Sequence, residues 1–172
     1  NRAFYNELLY IMGVEEVTED KVKKIKRLKT KRQPYSLVEQ AISHLDGYDL
    51  YEEQAIFDTA LGLVLNWTNR LLFLKLLESQ LLAFNKGAFT KFLTISIIPD
   101  YDVLNDLFMK VLAVPVDHRE DEFRETFKDV PYLNSSLFEK SAMEKKFFPI
   151  SGIRLGSMEV MNQTAIKDNN GK

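Results

Sequence analysis

From Leu50 to Phe84 the chain runs without a proline through sequence dense in Leu, Ala, Glu and Phe, and this stretch constrains the fold most. Such residues lose little side-chain freedom in a helix. About 30 residues of helix at 1.5 Å each would span about 45 Å, enough to form the spine of a domain. Between Leu71 and Leu77 the apolar side chains point in nearly every direction around a helix, so other elements must surround it. The reading is a mainly α fold: a helical, bundle-like domain around a long central helix, with at most a few short strands near the C-terminus. The same stretch holds Asn66, Asn69, Arg70, Lys75 and Glu78. It therefore falls short of the roughly 18 uninterrupted apolar residues of a membrane span, and the expectation is a soluble protein with no membrane partner.

The flanks supply shorter elements. Arg2 to Met12 has a helical apolar pattern stopped by Gly13, which can adopt the left-handed conformation of a helix end. Val14 to Asp20 is acidic, and Lys21 to Arg32 then places eight basic residues in twelve: Lys21, Lys23, Lys24, Lys26, Arg27, Lys29, Lys31 and Arg32. Val22, Ile25 and Leu28 would make one helical stripe there, but like-charge repulsion leaves a short extended or irregular segment equally open. After Pro34, Ser36 and Glu39 have the spacing of a capping box at the start of a helix from about Leu37 to Leu45. Phe89 to Ile98 is branched enough for either a short strand or a helix end. Val103, Leu104, Leu107, Phe108, Val111 and Leu112 form the stripe of an amphipathic helix, with Asp100 or Asp102 as its N-cap. Glu120 to Phe127 reads as a shorter charged helix, ended by Pro131. Lys146 to Leu155 is a candidate strand or extended stretch.

Composition excludes several chemistries. No cysteine is present, which removes disulfides, thiolate metal sites and cysteine nucleophiles and fits a cytoplasmic setting. His44 and His118 are far apart and lack metal-ligand spacing. The seven glycines form no phosphate-binding loop. Ser135 and Ser136 lack the glycine-flanked setting of a hydrolase nucleophile. Asp100, Glu144 and Lys146 can be arranged into a magnesium-nuclease signature, a reading that requires them to converge on a strand pair. With a net charge of −2, contact with nucleic acid would depend on local charge, and the basic run from Lys21 to Arg32 is the candidate for touching DNA backbone phosphates. Within the spine, Lys75 and Glu78 are placed to pair, while Asn69 and Arg70 can tie the helix to loops crossing it.

Four segments, taken in order, carry a resemblance. They are Trp67-Thr68-Asn69-Arg70, Phe73-Leu74-Lys75-Leu76-Leu77-Glu78, Asp102 to Leu112, and the decapeptide Val130-Pro131-Tyr132-Leu133-Asn134-Ser135-Ser136-Leu137-Phe138-Glu139. This order resembles the helical region ahead of the methyltransferase core in fused type IIG restriction-modification enzymes and related adenine-specific DNA methyltransferases. In that family the decapeptide commonly has two glycines where Ser135 and Ser136 stand here. The resemblance implies that residues 1–172 are a single helical connector domain cut from a larger enzyme, with 140–172 an extended tail leading toward the methyltransferase. It implies structural roles for Trp67, Asn69, Arg70, Phe73, Leu74, Lys75, Glu78, Pro131, Tyr132, Leu133, Asn134, Leu137 and Phe138. The parent enzyme would methylate adenine with S-adenosylmethionine and cut DNA with Mg2+; this region would hold no cofactor, no metal and no catalytic residue. Its partners would be DNA and the nuclease and methyltransferase domains of the same chain. The alternatives are a helical protein-interaction module and a small magnesium-dependent nuclease.

Overall fold

The computed structural model describes residues 2–86 and 91–153. The fold is mainly α, with a long central helix and, among the described residues, one two-stranded antiparallel sheet. Two compact units divide it, one drawing on residues 1–64 and the other on 65–154.

In the first unit, helix α1 (Arg2–Met12) ends at Gly13, whose φ of +79° is the left-handed geometry expected of a helix stop. The Gly13 amide donates back to the Leu9 and Tyr10 carbonyls. A Cβ at Gly13 would also run into the Ser36 side chain, so glycine is required here for two reasons. Strands β1 (Val14–Glu19) and β2 (Val22–Arg27) follow, joined by Asp20 and Lys21. Both turn residues have positive φ, 50° and 66°, as a two-residue hairpin of type I′ demands. The basic run is therefore extended over its first half, and the sheet lies near the N-terminus rather than near the C-terminus. Helix α2 (Leu37–Leu45) buries Leu37, Val38, Ala41 and Leu45. Its expected capping box does not form: Ser36 sits at the N-cap without a side-chain hydrogen bond, and the Glu39 carboxylate is held by Arg27 rather than reaching back to the N-cap.

Helix α3 (Glu53–Phe84) is the spine. By length and composition alone it could cross a membrane. Its Arg70 and Glu78 are nevertheless buried against protein groups of the second unit; Phe73 and Leu76 are exposed, so the helix is not surrounded over residues 71–77 as its apolar spacing predicts. Lys91 to Ile98 forms bends and turns with no strand; Phe89, the start of that candidate strand, lies outside the described residues. Helix α4 (Tyr101–Asp106) starts at Asp100, whose carboxylate accepts from the Val103 amide at 2.9 Å, and it runs on into a π-helical segment, Leu107–Leu112. Leu104, Leu107, Phe108, Val111 and Leu112 are all buried, as their spacing requires. Helix α5 (Asp121–Thr126) is the expected short charged helix. Within the candidate strand from Lys146 to Leu155, Lys146 closes helix α6 (Ala142–Lys146) and Ile150–Gly152 forms a 3-10 turn. Pro149 and the local capping signal favour turns over a ladder there; Leu155 lies outside the described residues.

Candidate functional site

Two constellations stand out, one in each unit. The first is built around Arg70, which is fully buried on α3. Its guanidinium donates to both oxygens of Glu144, to the Leu137 carbonyl at 2.5 Å and to the Glu139 carbonyl at 2.6 Å. It also lies 5.9 Å from the centre of the Phe108 ring, within reach of a cation–π contact. Glu144 in turn accepts from Asn66 and from the Ser141 amide, each at 2.8 Å, and completes a true capping box with Ser141 at the start of α6. Burial pushes the Glu144 carboxyl up. Arg70 and the Ser141 amide outweigh that and hold it below its ordinary value.

Aromatic packing closes the same region. The Phe138 ring lies edge-on to Phe73 at 5.9 Å and tilted against Phe108 at 6.0 Å. Trp67 stacks on Tyr101 at 5.7 Å, and burial raises the Tyr101 hydroxyl to about 12. Leu133 donates its amide to the Leu112 carbonyl at 2.9 Å. Leu74 is fully buried, and Glu78 accepts from the Phe92 and Leu93 amides while pairing with Lys75 at 2.9 Å.

Trp67, Arg70, Phe73, Leu133, Leu137 and Phe138 are thus brought together or tied to neighbouring segments. Asn69, Tyr132 and Asn134 are exposed, and Pro131 is half-buried. Neither Ser135 nor Ser136 has positive φ, so this turn needs no glycine; the Ser135 hydroxyl accepts from the Leu137 amide at 3.3 Å.

Sequence reasoning missed two parts of this unit. The first is the Ser141–Glu144 capping box, whose Ser-x-x-Glu spacing was visible. The second is Arg119, buried with no carboxylate partner among the described residues and donating to the Val114, Phe127 and Val130 carbonyls. Burial lowers its pKa, and its guanidinium draws three loop carbonyls together. Nothing in the sequence around Arg119 marks it as a core residue.

None of the three residues of the magnesium-nuclease reading lies on a strand. Asp100 caps α4, Glu144 is neutralised by Arg70, and Lys146 lies over the Phe147 ring. Among the described residues no cluster of three acidic or histidine side chains is placed to hold a metal ion. His44 and His118 are both exposed.

The second constellation is the hairpin of the first unit, where the acidic and basic segments form opposite strands. Lys23 pairs with Glu16 at 2.8 Å, while Lys24 and Lys26 share Glu19. Arg27 grips both oxygens of Glu39 at 2.7 Å and reaches Glu53 at 3.4 Å. The pairing holds the Glu39 carboxyl low chiefly through Arg27. Arg32 donates to the Leu28 carbonyl at 2.7 Å, and Lys21, Lys29 and Lys31 have no carboxylate partner among the described residues. The basic run is therefore divided: Arg27 is structural, Lys23 is matched one to one, and the remaining cations outnumber the acids near them.

The whole chain, residues 1–172, matches the model of a family described as a domain of unknown function, DUF7814, and belongs to that family. No curated protein and no solved structure matches the chain.

Proposed function

We propose that this domain is a noncatalytic helical connector of a type II restriction-modification enzyme, positioning a nuclease and an adenine-specific DNA methyltransferase of the same chain. One observation carries the reading: Arg70 joins the spine helix to the decapeptide through the Leu137 and Glu139 carbonyls. The motif residues on which the resemblance rests are thereby used for packing. Arg70 is bound by Glu144 and Lys75 by Glu78, so these charges serve the packing. Such an arrangement suits a body that transmits geometry rather than one that performs chemistry. Phe73, Leu76, Phe84 and Ile95 of the second unit are exposed, and the neighbouring domains of the parent enzyme are what would cover them.

The test compares the parent protein with the 172-residue chain alone. S-adenosylmethionine-dependent adenine methylation and Mg2+-dependent cleavage of DNA are expected of the parent and not of the chain. Cleavage by the chain itself, or a parent that carries no methyltransferase, would overturn the proposal.

A further inference from the structure

The hairpin carries cations that its own carboxylates do not consume, and they are gathered in one place. A groove of about 630 Å³ is lined by Lys24, Lys26, Lys29 and Arg32, with Glu19 as the acid shared by the two strand lysines. Glu53 lines the groove as well, so with Arg27 five side-chain cations face two carboxylates. Arg27 also borders the groove, but its charge is already met by Glu39 and Glu53. That pairing fixes the end of β2 and so the position from which the Leu28–Arg32 loop departs. Lys24 and Lys26 are alternate residues of a strand, so they project from one face about 6.6 Å apart at 3.3 Å per residue.

From this we infer that the groove is a binding site for the phosphate backbone of duplex DNA, read without base specificity. The inference rests on the connector reading and adds to it which cations make the contact. The groove is far larger than one phosphate, so an extended polyanion fits it better than a single ion. Its apolar members, Ile25 and Phe57, are half-buried and buried respectively. A membrane-surface site instead needs exposed apolar side chains beside its cations. Lys21, in the hairpin turn, is absent from the lining, as are Lys23 and Lys31. Contact by the groove is therefore distinguishable from attraction to the whole basic run.

The experiment is fluorescence anisotropy of a labelled DNA duplex with the full 172-residue chain across a salt series, alongside vesicles containing phosphatidylserine. Duplex binding that weakens with salt is expected. Lys29→Gln with Arg32→Gln should lower affinity at least tenfold and reduce the salt slope by about 1.8, two phosphates' worth of counterion release. Lys21→Gln should change affinity less than twofold. Far-UV circular dichroism verifies that each variant keeps its helices, and Lys24→Gln with Lys26→Gln provides a second pair on the strand side. An unchanged slope in both folded double variants would overturn the inference. So would a loss on Lys21→Gln equal to that of the groove pair, or binding to the vesicles but not to the duplex. None of these results would touch the connector reading, which stands or falls on the parent enzyme's activities.

Discussion

Substituting Arg70 by methionine would remove the guanidinium while retaining most of the aliphatic volume. The exposed fractions of the Arg70 and Glu144 side chains are 0% and 1%, so water cannot replace the lost partner without rearrangement. Breaking a buried ion pair from one side costs about 3–5 kcal/mol, because the remaining charge is left uncompensated. Glu144 would keep Asn66 and the Ser141 amide, which favours the lower half of that range, whereas the Leu137 and Glu139 carbonyls would each lose a donor. We therefore expect a loss of about 3 kcal/mol, a large share of the roughly 5–15 kcal/mol available to a domain. In urea, with a slope of about 2 kcal/mol per molar, the unfolding midpoint should fall by about 1.5 M.

The pH dependence follows from the sign of the Glu144 shift. Its folded pKa is depressed below an unfolded value near 4.3. The carboxylate's contribution is therefore complete above about pH 4.3 and is lost as pH falls through the folded pKa. In Glu144→Gln that part of the acid sensitivity should vanish. Arg70→Met combined with Glu144→Leu should lose less than the two single losses added together, since neither charge is then left alone in the core. A loss below about 1 kcal/mol in Arg70→Met, or strict additivity in the double variant, would refute the view that this pair organises the seam.

Two further outcomes test local geometry. Gly13→Ala should destabilise the chain by more than about 1 kcal/mol in the same urea assay, since it meets both a left-handed backbone and the Ser36 side chain; a neutral result would mean that the α1–β1 junction relaxes freely. Replacing Ser135 and Ser136 together by glycine, the residues usual in the resembled family, should lower stability by no more than about 2 kcal/mol through greater freedom of the unfolded chain. A gain in stability would show that the serines strain this turn, contrary to their ordinary φ values.

Local chemistry explains which elements could be read in advance. Helix α1, its glycine stop, α2 and the Asp100 cap all follow from interactions within a few residues. The hairpin was legible only in part: an acidic and a basic segment flank Asp20 and Lys21, but only cross-strand pairing decides for a sheet over a charged helix. Glu39 shows how such pairing overrides a local signal. Its spacing to Ser36 suits a capping box, yet Arg27, twelve positions earlier in the chain, holds its carboxylate in a bidentate pair. On the spine, Arg70 was recognisable as a residue needing partners, but the identity of those partners was not. Glu144 and the two decapeptide carbonyls are brought to it only by the folding of α6 and the preceding loop.

The uninterrupted spine, the helical class and the residues able to pack or carry charge were determined by the sequence itself, because helix propensity and apolar spacing are local properties. Which charges would be neutralised was decided by tertiary structure. Arg70 finds a buried carboxylate, Arg27 is held by Glu39, and Lys24, Lys26, Lys29 and Arg32 remain in excess over Glu19 and Glu53 around the groove. The free energy of a charge depends on what lies within a few ångströms of it in space, and separation along the chain does not report that distance.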